Sequence, residues 1–232
     1  MRKLALSDEI LLSVQQPARY IGGEVNMRVK DPKKADIRFA MCFPDVYEIG
    51  MSHLGIQILY SMFNNREDIY CERVYSPWTD LDPILRENKI PLFTLETQEP
   101  VKNFDFLGIT LQYEMCYTNV LQILDLSQIP LHTCDRTEND PIVIGGGPLE
   151  RAAEIPGIYV PAFYDVTYKK DGTIECFRPN NEHAMPVVTK QIVSDMDSVG
   201  YIEKPLVPFI KVTQDRVVLE IQRGCIRGCR FC

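Results

Sequence analysis

Residues 36–65 read DIRFAMCFPDVYEIGMSHLGIQILYSMFNN, and two different periodicities follow one another inside them. DIRFAMCFP is a short apolar run stopped by Pro44, which reads as a strand. SHLGIQILYSMFNN then places Leu54, Ile58 and Met62 four residues apart, with Leu59 and Phe63 widening the stripe, as an amphipathic helix requires. Ser52 stands where a helix N-cap is expected. A strand that passes into a helix is the opening of a βαβ unit.

The pattern continues outward from there. YCERVYSP (70–77), PLFTLET (91–97) and FDFLGITLQ (104–112) are further strand candidates, while DLDPILRENK (80–89) and TNVLQILDLSQ (118–128) read as helices. PIVIGGGP (141–148) reads as a buried strand that ends in a glycine turn. Alternating strands and helices predict a doubly wound, Rossmann- or flavodoxin-like parallel α/β domain over residues 36–150. Residues 1–35 form an N-terminal extension that opens with a short amphipathic helix. After Pro148 the texture changes. FYDVTYKKDGTIECF (163–177) alternates on both sides of Asp171-Gly172, which predicts a β-hairpin. Residues 178–208 are rich in proline and polar side chains, so residues 151–210 read as a hairpin plus a linker or extended wrap. Residues 211–232 carry a short β-branched strand, DRVVLEIQ, that leads directly into cysteines.

Bulk properties narrow the function classes. The chain has 232 residues and a formal net charge of −7, which argues against a general binder of nucleic acid or membrane surfaces. Asp8 and Glu9 interrupt the apolar N-terminus, so it is no secretory signal, and no run approaches the ~20 apolar residues of a membrane span. Cys42, Cys71, Cys116, Cys134 and Cys176 are scattered singly and are expected as small buried hydrophobes. With no export signal the expected compartment is the reducing cytoplasm, where clustered thiols serve as metal ligands or catalytic groups.

Such a cluster closes the chain. QRGCIRGCRFC (222–232) sets Cys225, Cys229 and Cys232 in the spacing C-x3-C-x2-C. Thiolates are soft ligands suited to zinc or to iron–sulfur clusters. A closed zinc site takes four ligands, commonly as two C-x2-C knuckles, and no fourth ligand lies close by. Three thiolates on one tight loop suit a 4Fe–4S cubane with one iron left without a protein ligand. Gly224 and Gly228 would let the backbone curl closely around it. Arg223, Arg227 and Arg230 add local positive charge, with no role assigned to any one of them.

This stretch resembles the signature of the radical S-adenosylmethionine superfamily, C-x3-C-x-Φ-C with Φ aromatic, Phe231 filling the aromatic position. RVVLEIQRG likewise resembles the first strand of that superfamily's partial TIM barrel. The resemblance implies a 4Fe–4S cluster on the three cysteines, S-adenosylmethionine chelated by the open iron, Phe231 near the adenine, and a 5′-deoxyadenosyl radical as product of reductive cleavage. An electron donor such as flavodoxin or ferredoxin is implied as partner, together with an unknown substrate. Enzymes acting on RNA are a neighbouring group, but nothing in the residues supports an RNA substrate. The rest of the barrel would lie beyond Cys232, so the stretch on its own is expected to be catalytically incompetent.

The order SVQQPARYIGGE, FPDVYEIGMSHLG, LQYEMCYTNVL, IVIGGGP and IPGIYVP is similar to the fused radical proteins that carry a cobalamin-binding-type domain in front. That likeness makes Gly145, Gly146 and Gly147 candidates for close approach by a cofactor, with cobalamin as the implied guest. The cobalt-ligating pattern D-x-H-x-x-G is not met: Met51 stands two residues before His53 and Gly55 two after. His53 is therefore expected as a helix-start histidine with local hydrogen bonds. Only a few residues, RAAE, separate GGGPLE from IPGIYVP, which predicts a shortened sheet with an exposed edge. Two other classes stay open: a non-catalytic nucleotide- or partner-binding α/β module whose cysteines hold zinc or respond to redox state, and a one-cluster electron carrier, which would need distant Cys176 as fourth ligand.

Overall fold

The computed structural model describes residues 4–111, 114–145, 163–189, 195, 197, 200–214, 216 and 218. Gly146, Gly147, Cys225, Cys229, Phe231 and Cys232 lie outside them, as does most of the strand expected over 215–222. Two short helices open the chain, α1 (Asp8–Ser13) and α2 (Ala18–Ile21). The N-cap of α1 is Ser7, whose hydroxyl accepts the Ile10 N–H.

Strands β1 (Ile37–Phe43), β2 (Ile69–Tyr75), β3 (Phe106–Ile109) and β4 (Ile142–Ile144) form one all-parallel sheet in the order β2-β1-β3-β4. Its helices are α3 (Tyr47–Met51), α4 (Leu54–Asn64), α5 (Asp82–Glu87) and α6 (Tyr117–Leu126). Because Ala40 pairs with Glu72 and Leu107, and Cys42 with Val74 and Ile109, these side chains share one face. Its apolar members, Ala40, Cys42, Val74, Leu107 and Ile109, pack with Leu85 of α5, Ile123 and Leu124 of α6 and Leu11 of α1. Met41 and Phe43 point the other way and join Met51 of α3, Ile56 and Tyr60 of α4, and Leu206 and Val212. Helices on both faces make the sheet doubly wound, as expected, and the strand order begins the flavodoxin-type sequence. Gly108 lies where a Cβ would come within 2.4 Å of the Phe39 ring, so only glycine lets that ring settle against β3.

A separate antiparallel hairpin, β5 (Tyr164–Tyr168) and β6 (Ile174–Pro179), turns at Asp171-Gly172, with Gly172 at φ 84°. Asp171 accepts from both the N–H and the hydroxyl of Thr173, which locks the turn.

Four expectations need correction. PLFTLET is not a strand. Pro91, Pro100 and Gln98, the last at φ 64°, fold the chain back on itself, leaving a single bridge between Phe93 and Pro100. Ser52 is not an N-cap, because an unforeseen helix, α3, ends there; Ser52 keeps αR geometry and His53 takes the extended cap conformation. The strand β4 is not buried: Ile142 is 55% exposed. Cys42, Cys71 and Cys116 are buried as expected, but Cys134 and Cys176 are exposed.

Candidate functional site

In an open parallel sheet, ligands bind beyond the carboxyl ends of the strands, where the strand order reverses. That point here lies between β1 and β3. Thr110, just past β3, donates its N–H and its hydroxyl to the Cys42 carbonyl, tying the two strand ends together. Asn119 of α6 donates to the Pro44 carbonyl at 2.9 Å, and Ser76 N–H donates to the Asp45 carbonyl at 2.9 Å. Leu111, Met115 and Tyr117 stand exposed beside this edge. Gly145, at the exit of β4, is exposed, and among the described residues a Cβ there would meet only Leu111 at 3.8 Å. That is ordinary contact. None of the described residues therefore demands a glycine at this position.

The same edge receives the chain as it heads towards the cysteines. Leu206 and Val212 are buried against the α3–α4 face, Val207 bridges to Val25, and the Asn26 amide donates to the Pro205 carbonyl at 2.7 Å. The Gln214 N–H donates to the Ser52 hydroxyl at 2.9 Å, and the Thr213 N–H to the Glu48 carbonyl at 3.4 Å. The Glu48 carboxylate is held by Arg19 at 2.7 Å, and the Arg19 guanidinium lies 5.1 Å from the centre of the Trp78 ring. Between Arg19, Tyr47, Tyr75 and Ser76 is a cavity of about 20 Å³, room for one water molecule.

Below this edge lies a buried charge network. Arg73 of β2 has no exposed side-chain surface, and it pairs with Glu96 at 2.6 Å and Glu24 at 2.8 Å. Glu24 also accepts the Tyr47 hydroxyl at 2.9 Å. On the opposite face, Glu72 accepts from Arg38, from the Thr94 hydroxyl, and from the N–H and hydroxyl of Thr97. Burial disfavours the charged form of all these groups. For Glu24 burial pushes the carboxyl up, but the charge and hydrogen bonds of Arg73, with the Tyr47 hydroxyl and a backbone bond, together hold it below its usual range. For Glu96 burial prevails over Arg73, and with Glu72 and Glu24 adding repulsion the carboxyl is pushed up to about 7. Two carboxylates around one guanidinium leave an excess negative charge, which favours the protonated form of Glu96.

His53 sits at the start of α4, where the sequence placed it; its ring packs 5.2 Å from that of Phe43 and makes no capping bond. Of the glycine candidates, Gly145 is at the carboxyl edge, while Gly146, Gly147 and all of the cysteine loop lie outside the described residues. Among the described residues no group of three or more His, Cys, Asp or Glu could hold a metal ion. The cluster reading therefore rests on the donor chemistry of Cys225, Cys229 and Cys232: three soft thiolates, a fit to an iron–sulfur cube with one open iron. Sequence reasoning missed Arg19, Glu24, Glu48, Arg73 and Glu96. Its one available signal was the adjacent pair Glu72-Arg73 inside the apolar run of β2.

Residues 55–154 match the family model described as radical SAM proteins, N-terminal. The chain is also 28% identical, over 218 aligned residues, to an uncharacterised protein of Methanocaldococcus jannaschii. That alignment covers 83% of this chain and 40% of the relative, so the chain spans well under half of the length of the curated relative it matches. The family match supports a radical-SAM-related protein. Among the described residues no helix is long and apolar enough to cross a membrane.

Proposed function

We propose that this chain is the front portion of a radical S-adenosylmethionine enzyme. Residues 36–150 form a cofactor-facing α/β module, 151–210 a hairpin and connecting wrap, and 211–232 the first strand and cluster loop of the barrel. Cys225, Cys229 and Cys232 would hold three irons of a 4Fe–4S cluster, leaving one iron open to S-adenosylmethionine. When bound, such a cluster would supply one electron to the sulfonium, which would part into methionine and a 5′-deoxyadenosyl radical. Phe231 lines the adenine side. A flavodoxin- or ferredoxin-like donor provides the electron, and the substrate contacts belong to barrel loops outside this stretch.

The single observation that carries this reading is the C-x3-C-x-F-C donor set; the match of residues 55–154 to the N-terminal family model supports it independently. For the α/β module, the guest at the carboxyl edge is a cobalamin-type cofactor approaching the glycines at 145–147. That among the described residues only Leu111 would meet a Cβ at Gly145, at ordinary contact distance, supports that placement. His53 is not offered as a cobalt ligand, because its ring is engaged with Phe43.

Anaerobic reconstitution of the full protein with iron and sulfide tests the assignment. The expected product is brown with about four irons per chain, and simultaneous Cys225→Ala, Cys229→Ala and Cys232→Ala changes abolish the colour. Colourless protein with stoichiometric zinc would favour the binding-module reading and overturn this one.

A further inference from the structure

The chain is clamped to the α/β module immediately before it runs to the cysteines, and the clamp has a particular chemistry. Ser52 follows the last residue of α3, where helix carbonyls lack intrahelical partners. Its hydroxyl donates to the Glu48 carbonyl at 2.6 Å. A serine hydroxyl has one proton to give, so this bond turns its lone pairs outward. The Gln214 N–H is received there at 2.9 Å, while the preceding Thr213 N–H meets the same Glu48 carbonyl. Two consecutive backbone donors thus dock on two acceptors at the end of one helix. Leu206 and Val212 anchor the segment in the core just upstream, and Arg19 holds Glu48 from the N-terminal side. The C-terminal end of α3 is itself fixed to the end of β2, since the Tyr75 hydroxyl donates to the Met51 Sδ at 3.3 Å. Cys225 follows Gln214 by only 11 positions.

We propose that Ser52 is a positioning residue for the cluster loop: with the Glu48 carbonyl it fixes residues 213–214 against the end of α3, 11 positions before Cys225. This rests on the reading of Cys225, Cys229 and Cys232 as cluster ligands. Two readouts on the full reconstituted protein separate the steps. In Ser52→Ala, amide hydrogen exchange over residues 205–214 should be roughly fivefold faster, the effect of one lost hydrogen bond. Iron content should stay at the native level, while the change in the cluster's EPR spectrum on adding S-adenosylmethionine should weaken. Ser52→Thr, which keeps the hydroxyl, should restore both. Gln214→Pro removes the donor from the other side and should reproduce the Ser52→Ala result. A loosened segment with a native spectral change overturns the proposal, and so does unchanged exchange. Native protein that takes up no iron defeats the cluster reading itself, and iron content reports that outcome separately from the exchange data.

Discussion

Among the described residues β2 and β4 are the outer strands of the sheet, and they invert what their sequences suggest. The strand β2 carries Glu72 and Arg73 at its centre, yet every residue after Ile69 is buried. The strand β4 is an unbroken IVI, yet Ile142 is more than half exposed. The difference lies in what meets each edge. The outward backbone groups of β2 are taken by side chains and a loop. The Asn64 amide exchanges two bonds with Cys71, Glu96 accepts the Arg73 N–H, and Leu95 donates to the Arg73 carbonyl. An edge strand satisfied this way offers no free ladder to another chain. Charge inside a strand thus marks, in this protein, the more deeply buried edge.

Removing the cation at β2 gives the largest test of that contrast. Arg73→Met leaves Glu24 and Glu96 buried around an apolar side chain, and loss of one partner from such a cluster costs about 3–5 kcal/mol. Denaturant unfolding should show it; a change below about 1 kcal/mol would mean that the carboxylates find water or protons at little cost.

A smaller effect comes from pH. The folded protein holds the Glu96 proton up to about pH 7, whereas the unfolded chain releases it near the ordinary value of 4.5. The folded state binds more protons across that window, so stability should rise as pH falls from about 7 towards 4.5. Glu24, held low by Arg73, acts in the opposite direction only below its ordinary value of 4.5. In Glu96→Gln the slope between the two values should flatten, as read from unfolding midpoints across that range. A slope that persists in the variant would assign the proton to another group.

The smallest effect belongs to β4. Ile142→Ser changes an exposed side chain and should shift stability by no more than about 0.5 kcal/mol. A loss several times larger would show that Ile142 is covered in solution, and the contrast between the edges would fail.

Much of the architecture is legible without coordinates. The run IRFAMCF, the four-residue spacing of Leu54, Ile58 and Met62, and Asp171-Gly172 between two alternating arms each specify a local structure through periodicity or turn chemistry. What escaped was set by contacts distant in sequence. Arg19 and Glu48 are 29 residues apart, and Arg73 and Glu24 are 49 apart. No local pattern announces such pairs. Likewise, PLFTLET has the composition of a strand, but flanking prolines and the turn at Gln98 place its donors in a loop.

From the linear order of residues came the βαβ alternation, the hairpin and the three-thiolate spacing, because each depends on near neighbours whose geometry the backbone fixes. Only the folded molecule decided which strand edge would be buried, where Ser52 would act, and which carboxylate would keep its proton. Those outcomes depend on desolvation and on partners brought together from far along the chain, and neither exists until the core has closed.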